Sequence, residues 1–344
     1  MRAARAAFLP GCIAILLMAA FTVPLPVFVE RPGHLVSLPE HVEVEVEDEG
    51  AEVDGDFLLT LVNLRRATVF WLVRGLVEPD LFFLPAAQLT GGVDDDLYFD
   101  RQREVFASTA DVAAAVALEA AGYPVEMGEP RGALVVGVLP GGPVEGVLQP
   151  GDVVTAVGDS EVRSAQELVA AVRRAGGAAM AIEFVRADRR RRVEVAPGEV
   201  PGLDEPGLGV RIEDMLPPIE LPLPVTVDTG RIGGPSAGLM IALTVFDKVS
   251  PEALADGRQV AGTGGITRDG TVTPIGGIGL KALAADREGA DVFLVPHSQA
   301  ADARAALPPD SGVTIMGVRR FDDALDALRG AGDQAVLAGL EAAA

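Results

Sequence analysis

A serine set among glycines just ahead of an apolar helix is a candidate nucleophile, and this 344-residue chain has one. Ser236 lies in the string Gly230-Arg231-Ile232-Gly233-Gly234-Pro235-Ser236-Ala237-Gly238, and an apolar run from Leu239 to Asp247 follows. The amides and dipole at a helix N-terminus can stabilise a developing oxyanion. Glycines on both sides, together with Gly234, Pro235 and Ala237 as immediate neighbours, let a substrate backbone approach. Serine is also a favoured N-cap, so the same residues read equally well as a tight helix entry. A second group follows: Thr263 in Val260-Ala261-Gly262-Thr263-Gly264-Gly265-Ile266-Thr267, then Pro274-Ile275-Gly276-Gly277-Ile278-Gly279-Leu280-Lys281. Alone, Lys281 reads as a surface lysine on an amphipathic helix. Three dispersed histidines and the single Cys12 supply no metal-ligand cluster, so neither metal nor cofactor is expected.

These residues need a scaffold. Leu223 to Val227 reads as a strand leading to the glycine-rich turn, and Leu239 to Asp247 is apolar on most faces, as a buried helix is. Asp269-Gly270 marks a hairpin turn. Asp291 to Pro296 reads as a buried strand. Upstream, Val42 to Glu47 alternates strictly, and Phe57 to Val62 is a continuous apolar strand. A helix is expected from Arg103 to Ala121, closed by Gly122. The fold class is therefore α/β (α+β).

Residues 126–200 form a separate unit. The strand Ala133 to Val138, the turn Pro140-Gly141-Gly142-Pro143 and the string Leu148-Gln149-Pro150-Gly151-Asp152-Val153-Val154 precede a helix from Ser164 to Ala175 and two further strands. This pattern resembles a bacterial PDZ domain. The resemblance implies capture of an extended peptide by addition to a sheet edge. The loop from Met127 to Gly132 is the expected carboxylate-binding segment, with Gly132, Ala133 and Leu134 as candidate peptide-binding residues. The basic run Arg186 and Arg189 to Arg192 is read as the solvated tip of a hairpin rather than a binding patch.

The blocks from Pro222 to Pro296 resemble the proteolytic domain of Lon-type proteases. That family carries a Pro-Ser-Ala-Gly serine, a Thr-Gly-x-Ile-Thr hairpin and a Pro-Ile-Gly-Gly segment, with its catalytic lysine four residues beyond. Ser236, Thr263 and Lys281 fall on those positions. The resemblance implies a Ser–Lys dyad, with Ser236 as nucleophile, Lys281 as base and the Thr263 hydroxyl supporting the lysine. A lysine can serve as base only when neutral, so burial beside groups such as Leu280 and Leu283 has to lower its pKa. Two departures stand out. The chain contains no Gly-x-x-x-x-Gly-Lys-Ser/Thr phosphate loop, so no ATP is expected. Gly265 stands where the cytosolic family often has a glutamate. With the PDZ-like unit, the whole resembles PDZ-containing Lon-like membrane proteases, whose partners would be protein or peptide substrates. The family also implies assembly into a ring, a hexamer.

The organisation expected is a signal anchor over 1–30, an N-terminal part of the protease domain over 31–125, the PDZ domain over 126–200 and the proteolytic domain over 201–335. The PDZ unit is thus inserted into the protease domain. Arg2 and Arg5 precede an uncharged stretch of 24 residues, Ala6 to Val29. That length spans a bilayer as one helix and leaves the bulk of the chain on the extracytoplasmic side. The alternative is a cleaved signal peptide. Cys12 precedes most of the apolar stretch, which is the wrong place for a lipoprotein acylation site. With 28 basic and 50 acidic residues, a net charge of −22 excludes nucleic acid as a partner. Two rival readings remain. Gly234-Pro235-Ser236-Ala237-Gly238 also fits the nucleophile elbow of α/β-hydrolases, which would need His297, only 61 residues downstream, as base. The other is an inactive membrane-anchored peptide-binding scaffold.

Overall fold

The computed structural model describes residues 18, 20–46, 55–91, 93–139, 141–200, 206–230 and 232–330. Most of the apolar N-terminal segment, with Arg2, Arg5 and Cys12, lies outside these residues, as do Arg231 and the alanine-rich tail. Among the described residues no helix is long and apolar enough to cross a membrane.

The chain divides into two compact units of mixed α/β structure: residues 1–125 with 221–344, and residues 126–220 between them. In the first unit the chain runs through β1 (Val27–Ser37), β2 (Val42–Val44), β3 (Asp56–Arg66), α1 (Val69–Arg74), β4 (Phe82–Pro85), α2 (Ala86–Thr90) and α3 (Asp95–Ala120). Two of these depart from the sequence expectation. Val27, Phe28 and Val29, assigned to the anchor, begin β1, where Phe28 and Val29 are buried. Helix α3 starts eight residues before Arg103, because Asp94 caps it by accepting the Asp96 amide at 3.0 Å.

The intervening unit holds β5 (Ala133–Val138), β6 (Val153–Val157), β7 (Ser160–Glu161), α4 (Ala165–Ala175), β8 (Met180–Arg186), β9 (Arg189–Val195) and β10 (Val210–Asp214). Its strands lie in the order β10-β5-β6-β8-β9, over a core of its own that includes Val135, Leu148, Leu168, Ile182 and Phe184. β10 pairs antiparallel with β5, so this unit runs past the expected boundary at residue 200 and ends at Glu220. Its two ends meet, with Glu126 bridged to Glu220. Of the basic run, Arg186 turns inward and clamps the buried Asp152 with two hydrogen bonds of 2.6 Å. Arg189 to Arg192 stay on the exposed hairpin strand.

The remainder of the first unit contains β11 (Val225–Val227), a 3-10 turn at Pro235–Ala237, α5 (Gly238–Val249), β12 (Gln259–Gly262), β13 (Gly265–Ile266), β14 (Val272–Thr273), α6 (Ile278–Arg287), β15 (Val292–Pro296), α7 (Ala300–Ala306), β16 (Thr314–Val318) and α8 (Phe321–Leu328). One six-stranded sheet unites both halves in the order β16-β15-β12-β3-β1-β4. β12 sits at its heart, parallel to β3 on one side and to β15 on the other. As its all-round apolarity predicts, α5 is buried from Gly238 to Asp247. It lies so close to β12 that a Cβ on Gly262 would collide with the Met240 sulfur and reach the Leu294 carbonyl at 3.1 Å.

Two outcomes follow from this sheet. Gly262→Val overpacks the contact and is expected to destabilise the protein by roughly 1–3 kcal/mol in denaturant unfolding. A fragment starting at residue 201 lacks β1 and β3 and leaves β12 with an unpaired edge. It is expected to give no cooperative unfolding transition, and a stable, active fragment would show the two halves to be independent.

Candidate active site

Ser236 sits in the 3-10 turn that runs directly into α5. The turn is reached through Gly234, whose φ of 90° belongs to the left-handed side where a side chain is strained. Gly234 donates its amide to the Gln102 carbonyl on α3 at 2.8 Å, and a Cβ on Gly233 would lie 2.9 Å from that of Gln102. From the other side, the Ser236 carbonyl accepts the Gly264 amide at 2.9 Å and the Thr263 hydroxyl at 3.0 Å. Gly238 packs against β13 and α3, where a Cβ would fall 2.8 Å from Ile266 and 3.0 Å from Thr109. The serine is thereby held between α3 and the loop that leaves β12. Its own side is half-buried, while Pro235 is exposed and Ala237 buried.

Lys281 arrives from α6. Gly277 starts that helix with φ 70°, which gives the sharp turn into it, and its carbonyl accepts the Lys281 amide at 3.0 Å. The preceding loop is fixed by Gln299, whose side chain both accepts from the Ile275 amide and donates to the Ile275 carbonyl, at 2.9 and 2.8 Å. Lys281 is only 4 % exposed, between buried neighbours Leu280 and Ala282. Its Nζ lies in hydrogen-bond contact with Ser236 Oγ at 2.7 Å and with Thr263 Oγ1 at 2.9 Å. Its described partners are two hydroxyls and no carboxylate. Burial therefore acts unopposed and lowers the lysine from 10.5 to about 7.

The proton inventory sets the direction of these contacts. Thr263 is fully buried and has one hydroxyl proton, which it donates to the Ser236 carbonyl. Towards Lys281 it can then only accept. An amine that donates to Thr263 and stays neutral has its lone pair free to accept the Ser236 hydroxyl proton. Ser236, Thr263 and Lys281, 45 residues apart at the extremes, thus form one cluster able to activate an alcohol for attack on a carbonyl. Gln102 and Gln299 position it, and neither was singled out by sequence, because each acts through space from a distant segment with no local motif. The side chain in contact with Ser236 Oγ is Lys281, whereas the Nε2 of His297 lies 3.0 Å from the Arg319 guanidinium.

The peptide-binding assignment in the middle unit requires correction. Gly132 donates its amide to the Arg163 carbonyl. Ala133 and Leu134 lie on β5, which is flanked by β10 and β6, so no edge is free there for an added strand. The sheet ends at β10 and at β9, and β10 is the edge that lies beside α4. Between it and α4 lies an apolar cleft of about 450 Å³, lined by Leu139, Leu168, Val172, Leu208, Val210 and Ile212 among others. Gly209, with φ 71°, brings the chain round into β10, and its carbonyl accepts the Leu139 amide at 2.8 Å. The signal was the Gly207-Leu208-Gly209-Val210 string before an extended run, placed beyond the expected domain boundary.

Comparison with known proteins bears on the part of the chain that holds the cluster. Residues 225–328 match the Lon protease (S16) C-terminal proteolytic domain. The chain is 35 % identical over 95 residues to Lon protease 2 of Bacillus subtilis, which covers 28 % of this chain and 16 % of that protein. It is 40 % identical over 97 residues to Lon protease of Roseiflexus castenholzii, covering 27 % and 11 %. The chain thus spans a small fraction of these relatives' length. Among solved structures, the PDZ domain of an SdrC-like protein from Listeria monocytogenes matches 24 % of this chain and 87 % of its own length, at 22 % identity and a TM-score of 0.23.

The lowered lysine has a measurable consequence. The neutral amine is the form able to take a proton, and it is depleted below about pH 7. Any hydrolysis that uses Lys281 should rise with pH through a midpoint near 7, rather than near the 10.4 of a solvated lysine. The pH profile of kcat/KM checks this.

Proposed function

Because its residues 225–328 form a Lon-type (S16) proteolytic domain, we propose that this chain is an ATP-independent serine endopeptidase. The observation that carries the proposal is the 2.7 Å contact between Ser236 Oγ and the buried, depressed Lys281 amine. Lys281 takes the Ser236 proton as the hydroxyl attacks the scissile carbonyl. It passes that proton to the leaving amine, and then removes a proton from the water that releases the acyl group. Thr263 holds the amine in line. The serine stands at the N-terminal end of α5, where the helix dipole favours the oxyanion.

The middle unit supplies the substrate end. An extended peptide adds to the open edge of β10 and places an apolar side chain in the cleft against α4, which recruits or gates substrates for the proteolytic unit. Without an ATP-driven motor, substrates are short, extended or already unfolded. The apolar stretch before Val27 anchors the chain in the membrane with its bulk on the extracytoplasmic side, and the protease units assemble into a ring.

Degradation of an unfolded protein by the full chain, without ATP, tests the reading. Ser236→Ala and Lys281→Ala should each abolish activity, a loss of about 10³-fold or more. His297→Ala should leave it unchanged. Activity kept in Lys281→Ala removes the dyad, and an inactive wild type that still binds peptides favours the scaffold.

A further inference from the structure

Nine of the thirteen exposed large apolar side chains among the described residues fall within residues 18–23, 69–77 and 82. Leu76 and Val77 are 83 % and 79 % exposed. Single exposed apolar residues are ordinary, but a cluster of this kind marks an interaction surface. The segments meet in space. The Phe21 ring stacks on Phe70 with centroids 4.8 Å apart, the Leu25 amide donates to the Ala67 carbonyl, and Phe82 lies on β4 at the edge of the sheet.

The chemistry beside this patch is unlike the rest of the acidic chain. Trp71, the only tryptophan, is packed on Val29 and Ala67 and ringed by three guanidinium groups. Arg31, Arg65 and Arg74 lie 5.6, 5.3 and 5.2 Å from its ring centre. Arg31, Arg74 and Arg287 open with Trp71 onto a cleft of about 300 Å³. Arg74 is paired with Glu78 and Arg287 with Asp80. Among the described residues the buried Nε of Arg31 has no hydrogen-bond partner. A buried guanidinium N–H without an acceptor is costly, and a phosphate oxygen is an acceptor that suits it.

We infer that residues 69–82 dock on a phospholipid surface. Leu72, Val73, Leu76 and Val77 enter the boundary between acyl chains and headgroups, and Arg31 and Arg74 meet lipid phosphates. Exposed aliphatic residues next to an aromatic and a set of arginines match the layering of a bilayer interface. The sequence fits the same occupant: the uncharged residues from Ala6 onward precede Met18, the first described residue of the patch. The inference rests on the membrane-anchored reading given above, and it adds that the folded unit lies against the bilayer instead of hanging from a tether.

The single tryptophan makes this testable in the full chain. The protein is reconstituted in phosphatidylcholine vesicles, with and without bromine on the acyl carbons nearest the headgroup, and followed by flotation and by Trp71 emission. Wild type should float and lose emission in the brominated vesicles. The double variant Leu76→Asp, Val77→Asp should float equally and lose the quenching, since both side chains are too exposed to affect folding. Flotation with unquenched Trp71 overturns docking and leaves the anchor standing. Failure to float overturns the anchor, and docking with it. A changed oligomeric mass of the double variant in detergent assigns the patch to a second copy of the chain and also overturns docking.

Discussion

The structure turns on the cost of keeping an amine out of water. A lysine in bulk solvent is protonated and useless as a base, and one sealed among apolar groups loses its proton near neutrality. Sealing Lys281 requires walls on every side. α6 carries it, the loop after β12 faces it with a hydroxyl, and the turn before α5 brings the serine. Each wall must approach within hydrogen-bond distance, which explains the lack of side chains at Gly234, Gly238, Gly262 and Gly264. A methyl group at Gly238 or Gly262 would push a wall outward and readmit water.

The cluster was legible only through the resemblance of its three short strings to a Lon-type domain, since by themselves Ser236 read equally well as a helix entry and Lys281 as a surface lysine. Ser236, Thr263 and Lys281 each sit in a short string whose glycines and prolines dictate the turn. The helix from Leu239 and the strand from Asp291 announced themselves by apolarity, since both are buried on all faces. What escaped was non-local. Val27 to Val29 continue an apolar run in sequence, yet tertiary pairing with β3 and β4 draws them into a sheet. β10 lies past a plausible domain end, and only its pairing with β5 reveals it as an edge strand of the middle unit. Gln102 and Gln299 act across the fold, where no spacing rule reaches.

The separation of fold and function also shows in where polar groups are tolerated. Asp152 is fully buried, but two guanidinium bonds and the Gln149 amide answer it, so it is structural. Lys281 is buried as deeply and is answered only by neutral hydroxyls. A buried amine left without an opposite charge changes protonation state, and that difference distinguishes a reactive group from a strut.

The parallel pairing of β12 with β3 has a consequence for how the chain is made. Thr60 and Gly262, joined by a hydrogen bond in the finished sheet, are 202 residues apart. At ~5–20 residues per second of synthesis, the first half of the sheet waits ~10–40 s for its central partner. During that interval β3 holds an open apolar edge, the condition under which chains aggregate. The middle unit has its own core and its ends are paired, so it can fold while the rest waits. Once folded, it roughly halves the loop still to be closed, an entropic gain of about 0.6 kcal/mol. A unit that folds early in this position is a splint, shortening the longest search that the six-stranded sheet must make.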